Sequence, residues 1–303
     1  MADTRQTVLI TGCSPGGIGH ALARQFHAKG PYLTSNQGLR VFATARNATT
    51  ISDLAARGIE TFSLEVTQPS SISALVSEIT RLISPSPSTG SSNGGHGLDY
   101  LVNNAGRNYT VPALDVEFDE VAATFDVNVF AVMRMCQAFA PLVIEAKGTI
   151  VQIGSVAGIM PYVFGSVYNA SKAALHQYSN TLRVEVKPFG VKVVTVVTGG
   201  VKSNIARTKR ELPEGSLYVE LGEEYERRQW HSQEMGVPNE EYAEKVVGKL
   251  VKRKAAWWIW EGYGAELVKF MDGWLPKWVM DWYFYRLFHL AKLVKSSASK
   301  KSN

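Results

Sequence analysis

Two side chains of the sequence have the types and the spacing that proton transfer requires. Tyr168 and Lys172 lie four residues apart in the segment Tyr-Asn-Ala-Ser-Lys, so on a helix both side chains emerge on one face. A free tyrosine, with a pKa of about 10, is a weak acid at neutral pH unless a neighbouring ammonium group stabilises its phenolate. The pair therefore predicts a proton-donating phenol with Lys172 as its pKa modifier, although the same spacing also occurs in ordinary exposed helices.

Two further polar residues fall where they can take part in that chemistry. Ser155 directly follows the predicted strand 149–154, at the carboxyl edge of a sheet, where open α/β folds bind their ligands. Its hydroxyl can donate a hydrogen bond to a substrate oxygen. Asn128 lies in a predicted helical region, and we interpret it either as the holder of a water molecule that connects Lys172 to solvent or as an ordinary polar helix residue.

A glycine-rich turn between the first predicted strand and the first predicted helix reads Thr-Gly-Cys-Ser-Pro-Gly-Gly-Ile-Gly. Glycine allows backbone conformations that a Cβ atom forbids, and it lets a pyrophosphate approach the amides at a helix N-terminus. Because the turn lies inside a strand-turn-helix unit, its position favours a dinucleotide site over a plain turn. The predicted contacts are Gly12, Gly16, Gly17, Ile18 and Gly19.

The end of the second predicted strand indicates which dinucleotide is bound. In folds that select NAD, an acidic residue about 20 positions beyond the glycines binds the ribose 2′-hydroxyl, but no Asp or Glu occurs from residue 31 through residue 52. Arg46 instead offers a planar cation to a 2′-phosphate. We therefore predict NADP rather than NAD, the alternative being that Arg46 is a solvated surface residue.

The elements that must position these residues follow from the apolar pattern. Short apolar or β-branched runs predict strands at 7–11, 39–44, 58–64, 98–102, 149–154, 191–197 and 255–260. Helical periodicity predicts helices at 18–29, 51–56, 70–82, 118–146 and 165–187. This alternation predicts an α/β fold with a Rossmann-like, doubly wound parallel sheet. The run 84–97, rich in Gly, Pro and Ser, is predicted to be a mobile surface loop.

Composition limits the domain count and the compartment. A chain of 303 residues with 45% hydrophobic residues predicts one domain, over 1–262, with an extension over 263–303. The two cysteines lie far apart and are expected to be reduced thiols. We find no secretory signal and no run of about 18 uninterrupted apolar residues, so we expect a protein that folds in the cytosol and does not cross a membrane. No metal site is predicted.

The net charge and the C-terminal segment indicate which partners the protein could contact. Much of the net charge of +5 falls at the basic C-terminus, which fits an anionic surface better than nucleic acid. Residues 277–294 predict a helix with one apolar face, containing Met280, Phe284, Leu287, Ala291 and Val294. With its tryptophans, this helix either lies on a membrane of the endoplasmic reticulum or a lipid droplet, covers the substrate pocket, or forms a contact in a homo-oligomer.

The segment 202–235 predicts a lid over the substrate. Its first part contains a cluster of basic residues, Lys202, Arg207, Lys209 and Arg210. They either receive a phosphate or carboxylate of the substrate or are solvated charges.

Over residues 6–262 the chain resembles the short-chain dehydrogenase/reductase family. The match consists of Thr11-Gly12 with the later glycines of the turn, Asn103-Asn104-Ala105-Gly106 after the fourth strand, Asn128, Ser155, and Tyr168 with Lys172. The resemblance implies that Tyr168 is the proton donor, Lys172 its pKa modifier and a ribose ligand, Ser155 the carbonyl orienter and Asn128 the relay. It further implies cofactor contacts by Glu65, Val66, Asn104, Arg134, Val201 and Ser203.

Two departures from the family pattern affect these assignments. The glycine turn is one residue longer than usual, so either Gly16 or Gly17 is the inner glycine. Gly199 stands where the family has proline after strand six, and we expect it to loosen that turn. The turn at 198–203 and the aromatic C-terminus look most similar to fungal 1-acyldihydroxyacetone-phosphate reductases.

The sequence thus predicts an NADPH-dependent reductase that transfers a hydride to the carbonyl of a hydrophobic or lipid-like small molecule. An acylated glycerone phosphate is one candidate substrate. The alternatives are a ketoreductase or alcohol dehydrogenase of fungal secondary metabolism, and a non-catalytic NADP-binding scaffold.

Overall fold

The computed structural model describes residues 5–29, 38–83, 97–206, 209–252 and 255–294. The strands are β1 (Thr7–Ile10), β2 (Arg40–Ala45), β3 (Glu60–Ser63), β4 (Tyr100–Asn103), β5 (Thr149–Ile153), β6 (Lys192–Thr198), β7 (Val201–Lys202), β8 (Val237–Pro238) and β9 (Trp258–Glu261). The α-helices are α1 (Ile18–Ala28), α2 (Ser52–Ala55), α3 (Pro69–Ile83), α4 (Phe118–Phe125), α5 (Ala131–Glu145), α6 (Ser166–Glu185), α7 (Gly222–Glu234), α8 (Asn239–Leu250), α9 (Ala265–Trp274) and α10 (Lys277–Leu287). The predicted loop at 84–97 falls, except for Gly97, outside the described residues, as does the chain from residue 295.

Seven strands form one parallel sheet in the order β3-β2-β1-β4-β5-β6-β9, which confirms the predicted fold class. The chain adds β2 and β3 on one side of β1 and then crosses to the other side to form β4, β5 and β6. The order of the strands therefore reverses between β1 and β4. In sheets of this kind, ligands bind outside the carboxyl ends of the strands at that point.

The core has two layers, one on each face of the sheet. Val8 and Ile10 of β1 belong to the cluster that also contains residues of α1 and α8, whereas Leu9 belongs to the cluster with α3, α5 and α6. Side chains of a strand alternate between the two faces. Because both faces are buried, β1 is continuously apolar in sequence instead of alternating with polar residues.

The predicted helix 118–146 is interrupted in its middle. Between α4 and α5, residues Asp126–Phe130 form a π-helical segment that contains Asn128. Such segments are rare and are frequent at functional sites. Among the described residues, Phe118–Glu145 is the one helical stretch long and apolar enough to span a membrane, but half of it is buried, because α5 packs on the sheet and on α3.

The turn after β6 is more firmly held than we expected from the replacement of proline by Gly199. The Gly199 amide donates to Glu261 O at 2.8 Å, and the Gly200 amide donates to Tyr263 O at 2.9 Å. Proline lacks the first of these donors, and a Cβ atom on residue 199 would lie only 2.3 Å from Tyr263 O. The expected loosening is therefore wrong: glycine permits a close attachment of this turn to the residues after β9.

The C-terminal extension packs against the domain. In α9, Ala265 and Val268 join a buried cluster with Val197. The predicted helix 277–294 ends at Leu287, and the chain then turns through His289, which has a positive φ of 50°.

The predicted apolar face of the extension is directed inward only in part. Phe284 is buried together with Phe288, with Phe164 and with Tyr225 of the lid. Leu287, Ala291 and Val294, which we placed on the same face, are exposed; the last two follow the turn after α10. The packing supports the alternative in which the extension covers the pocket.

Candidate active site

A cavity of about 1100 Å³ opens at the carboxyl ends of β1, β4, β5 and β6. Pockets for single small ligands usually measure 300–1000 Å³, so this one has room for a dinucleotide and a substrate together. Its walls contain most of the residues singled out in the sequence: Gly12, Gly17, Ile18, Arg46, Glu65, Val66, Asn104, Ser155, Tyr168, Lys172, Val201 and Ser203. Gly16, Gly19, Asn128 and Arg134 are not part of the walls.

The glycine turn forms the floor of one end of the cavity. Gly12 has φ 73° and would place a Cβ atom 2.8 Å from Ala105 Cα, while Gly19 would place one 2.5 Å from Gly12 O. Both glycines therefore serve the close packing of the turn. Gly16, with φ 72°, lies against Asn204 and does not itself line the cavity, whereas Gly17 does. Gly17 is therefore the glycine of the extra-long turn that faces the cavity.

The N-terminus of α1 provides hydrogen-bond donors. Gly17 caps this helix without any side-chain hydrogen bond, and the first turn contains no acidic residue. The first amides of a helix lack partners within the helix and favour an anion. The turn and the helix start thus fit a pyrophosphate.

Arg46 lies at the end of β2 on the cavity wall. It makes no ion pair with any residue that the structure describes, so its guanidinium is available to a 2′-phosphate. The Glu65 carboxylate, which lines the same end of the cavity, is already engaged: its Oε1 accepts from the Thr67 amide at 3.2 Å and from the Thr67 hydroxyl at 2.9 Å. The donor set at this end fits NADP.

The side chains of two predicted cofactor contacts form hydrogen bonds within the protein itself. The Asn104 amide nitrogen donates to Thr11 O at 2.8 Å and to Gly12 O at 3.0 Å, so it fastens β4 to the glycine turn at the edge of the cavity. Arg134 donates to Asp126 at 2.7 Å on the outside of α5. The assignment of Arg134 to the cofactor is therefore a misassignment, since its side chain is held away from the cavity.

Tyr168, Lys172 and Ser155 converge on the middle of the cavity. Tyr168 and Lys172 lie one turn apart on α6, with Lys172 Nζ 5.9 Å from the centre of the Tyr168 ring. Lys172 Nζ donates to Ile153 O at 2.9 Å. Ser155 follows β5, and its hydroxyl accepts from the Ala157 amide at 3.1 Å.

The surroundings of the pair act on both of its members. Burial raises the pKa of Tyr168, while the hydrogen bond with Ser155 and the charge of Arg228 act to lower it. Burial lowers the pKa of Lys172 to about 8, and its Nζ donates to the Ile153 carbonyl. Ser155 and Arg228 thus favour the phenolate, and the role of Lys172 as pKa modifier stays a prediction.

Asn128 holds the site together from behind. Its Nδ2 donates to Arg107 O at 2.9 Å and to the Ser171 hydroxyl at 3.0 Å, and its Oδ1 accepts from the Arg107 amide at 2.9 Å. These bonds join the loop after β4 to α6. The predicted relay role stays a prediction, whereas the side chain is clearly no ordinary surface residue of a helix.

Comparisons with known proteins agree with this geometry. The sequence model of the family described as short chain dehydrogenase matches residues 6–214. The short-chain dehydrogenase virD of Hypocrea virens is 41% identical over 97% of this chain and 96% of its own. The chain belongs to the short-chain dehydrogenase family.

Two other members are informative. The NADPH-dependent 1-acyldihydroxyacetone phosphate reductase of Schizosaccharomyces pombe is 40% identical over 71% of this chain and 69% of its own. The crystal structure of a short-chain dehydrogenase from Streptomyces avermitilis superposes with a TM-score of 0.72 at 26% identity, covering 97% of this chain and 99% of the other. The protein is accordingly a short-chain dehydrogenase, an oxidoreductase, along nearly its whole length.

His176 is a site residue of this short-chain dehydrogenase that the sequence analysis did not single out. Its Nε2 accepts from the Ser155 amide at 3.2 Å, which fixes the backbone that carries the Ser155 hydroxyl. A Cβ atom on Gly154 would lie 2.3 Å from the same nitrogen, so only glycine fits there. A signal was present, because His176 follows Lys172 by four residues and shares its helix face.

Three basic residues singled out in the lid of this dehydrogenase fit the second alternative, in which they do not receive the substrate. Arg210 pairs with Glu120 at 2.9 Å and Lys209 with Glu226 at 3.3 Å, and Lys202 is exposed; none of the three lines the cavity. Arg207 lies outside the described residues. Instead, Arg228 and His231 of α7 face the cavity. They lie three residues apart on one helix face, a spacing that could have indicated a site.

The far end of the cavity is apolar. Its walls there come largely from the extension: Leu267, Val268, Met271, Met280, Tyr283, Phe284 and Leu287. Met160 and Val156 continue the same surface towards Ser155. This end suits hydrocarbon, since it buries apolar area from water.

We expect His176 to make the protein sensitive to acid. Burial, with the charge of Lys172, lowers its pKa to about 4 from an ordinary value of 6.5. The folded state keeps the ring neutral while the unfolded state takes up a proton below pH 6.5, so stability present above that pH is lost as the pH falls through 4. The linkage corresponds to roughly 3 kcal/mol.

The measurement is the free energy of unfolding by urea between pH 8 and pH 4 for the wild type and His176→Gln. The wild type should lose roughly 3 kcal/mol more than the variant over this range. Curves that stay parallel would show that His176 does not remain neutral in the folded protein.

Proposed function

We propose that this protein reduces the carbonyl group of a hydrophobic, lipid-like ketone with NADPH, and that an acylated glycerone phosphate is a candidate substrate. The observation that carries the proposal is the layout of a single cavity. Arg46 and the glycine turn lie at one end, Tyr168 with Ser155 and Lys172 in the middle, and an apolar wall from α9 and α10 at the other end.

Each residue of the catalytic trio Tyr168, Ser155 and Lys172 has a separate role in the proposed reaction. NADPH, when bound, supplies the hydride. The Tyr168 hydroxyl donates a proton to the carbonyl oxygen as negative charge develops there, and the Ser155 hydroxyl donates a hydrogen bond that orients the same oxygen. With a pKa of about 8, Lys172 can release and regain a proton near neutral pH, which suits it to restoring the proton that Tyr168 gives up.

Two observations support NADPH as the cofactor. Arg46 lies at the end of β2 and makes no ion pair with any residue of the described part of the chain. The acidic residue lining the same end, Glu65, accepts hydrogen bonds from Thr67. The relative from Schizosaccharomyces pombe, 40% identical to this chain, is NADPH-dependent.

We expect Arg46→Asp to reverse the choice of cofactor, because the carboxylate repels a 2′-phosphate and can accept from a 2′-hydroxyl. The ratio of NADPH to NADH affinity should fall by at least about 10- to 100-fold, the value of charge-assisted hydrogen bonds. Binding is measured by the fluorescence of the reduced nicotinamide. Arg57→Asp is the matched control, because Arg57 is exposed and does not line the cavity; an equal effect of both variants would contradict the assignment.

The lipid-like substrate is supported by the apolar end of the cavity and by the relative from Schizosaccharomyces pombe, which is a 1-acyldihydroxyacetone phosphate reductase. A ketoreductase or alcohol dehydrogenase of secondary metabolism is the alternative within the class, and it would use the same Tyr168. A non-catalytic scaffold is the alternative outside it, and the convergence of Ser155, Tyr168 and Lys172 on one cavity argues against it.

We expect Tyr168→Phe to lower the rate of NADPH oxidation with an acylated ketone by at least about 100-fold, the usual contribution of a general acid. NADPH binding should stay within about threefold, because the ring is retained. The rate is followed at 340 nm, with Tyr285→Phe as control, since Tyr285 is exposed and lies away from the cavity. An unchanged rate in Tyr168→Phe would reject Tyr168 as the acid, and a wild type inert towards all ketones would favour the scaffold.

We further propose that the outer face of the extension lies on a lipid surface, such as that of the endoplasmic reticulum or a lipid droplet. Trp274 and Trp278 are 80% and 66% exposed, and tryptophan prefers the boundary between lipid and water. They flank the apolar cavity end, so a lipid substrate could enter from the surface directly. The basic residues at the C-terminus suit anionic headgroups.

Flotation with vesicles of phosphatidylcholine and phosphatidylserine tests this proposal. The double variant Trp274→Gln, Trp278→Gln should bind at least about tenfold more weakly than the wild type, because it removes apolar area from the contact. Trp257→Gln is the control, because Trp257 is 65% exposed but lies before the amino end of β9, whereas the extension follows its carboxyl end. Unchanged flotation of the double variant would show that these tryptophans do not contact lipid. If the wild type is a dimer in sedimentation and the double variant is a monomer, a second copy of the chain covers this face, and the proposal is overturned.

A further inference from the structure

Arg228 is a buried cation at the substrate end of the cavity. It lies on α7, lines the cavity and is only 8% exposed. Arginine is almost never buried to this extent without a partner. The reason for its burial must therefore be found in what surrounds it.

No hydrogen bond or ion pair joins Arg228 to any residue that the structure describes, and its Nε is buried without an acceptor. Its one ring contact is with Tyr162, whose ring centre lies 3.7 Å from the guanidinium carbon. The face of an aromatic ring attracts a guanidinium stacked on it. It does not accept hydrogen bonds from the five N–H groups, which point outward in the plane of the guanidinium. Burial lowers the pKa of Arg228, and the nearby phenol groups of Tyr162 and Tyr168 act in the opposite direction.

The other arginines on the cavity wall are different. Arg107 is paired with Glu120, and Arg46 lies at the nucleotide end. Arg228 instead acts electrostatically on Tyr168, and its Nη2 lies 3.2 Å from where a Cβ atom of Gly165 would be, at the N-terminus of α6. A helix N-terminus also carries positive potential, so two positive features coincide a few residues from the proton donor.

We propose that Arg228 binds an anionic group of the substrate, a phosphate or a carboxylate, positioned close to the carbonyl that is reduced. The planar guanidinium can donate two parallel hydrogen bonds to either group. This assignment rests on the proposed reduction of a ketone and narrows its substrate to ketones that combine an apolar chain with a nearby anion. The apolar chain lies against α9 and α10, and the anion lies against α7.

His231 completes this side of the pocket without adding a second charge. Its Nδ1 lies 2.6 Å from the Tyr162 hydroxyl. Burial and the charge of Arg228 lower the pKa of His231, so the ring is neutral near pH 7. Arg228 is the cation that meets the substrate, while Tyr162 and His231 hold its position.

The test separates binding from turnover. The protein is first saturated with NADP⁺, so that the phosphate sites near Arg46 are filled. Binding of dodecyl phosphate, dodecanoate and dodecanol is then measured by calorimetry for the wild type, Arg228→Gln, Arg228→Lys and Arg227→Gln. Arg227 is the matched control, because it is the neighbouring arginine but is exposed, with one hydrogen bond to Leu287 O.

In the wild type, dodecyl phosphate or dodecanoate should bind about 10- to 100-fold more tightly than dodecanol, and the stronger of the two identifies the anion. Arg228→Gln should abolish this preference while leaving dodecanol binding within about threefold, which also shows that the variant is folded. Arg228→Lys should restore part of the preference, and Arg227→Gln should keep it fully.

Three results would overturn the assignment: no preference for either anion in the wild type, an equal loss of all three ligands in Arg228→Gln, or retention of the preference in that variant. The kinetic counterpart is a rise in KM of about 10- to 100-fold for an anionic ketone and not for its neutral analogue. If calorimetry shows the preference but no ketone is reduced, the anion site stands and the proposed reaction fails.

Discussion

The hydrogen bond from Lys172 to the backbone of Ile153 holds the catalytic centre in place. Lys172 is buried, and its ammonium reaches from α6 to the end of β5 over 2.9 Å. One turn further along the same helix, His176 receives the Ser155 amide. Two successive turns of α6 are thus bound to the same strand end, and Tyr168, one turn before Lys172, is directed to the cavity as a result.

The sheet and the catalytic trio could be predicted from the sequence because their signals are local. The apolar run of β1, the glycine turn and the Tyr-x-x-x-Lys spacing each follow from a few adjacent residues, and the family pattern combines them. Strand limits differ from the prediction by at most three residues, which is expected because strand ends are set by hydrogen bonds to neighbouring strands. Most residues predicted at the nucleotide end line the cavity, because their signals are local too.

The remaining features depend on residues that are distant in the chain. The π-helical segment at Asn128 is stabilised by bonds to Arg107 and Ser171, which a helical periodicity does not reveal. Arg134 has the right residue type for a phosphate ligand but is paired with Asp126. Among the lid cations singled out in the sequence, Lys209 and Arg210 have acidic partners, and Lys202 is exposed. Arg228, in a helix that reads as polar throughout, lines the cavity instead.

The order in which the pocket is built follows the order of the chain. The glycine turn, β4, β5 and α6 precede the lid, and the wall formed by α9 and α10 comes last. During synthesis, a nascent chain can thus assemble the nucleotide half before any hydrocarbon-binding surface exists. The division also separates what must be kept from what can vary: exchange of the final helices would remodel the shape of the pocket without disturbing a single hydrogen bond of the proton-transfer machinery.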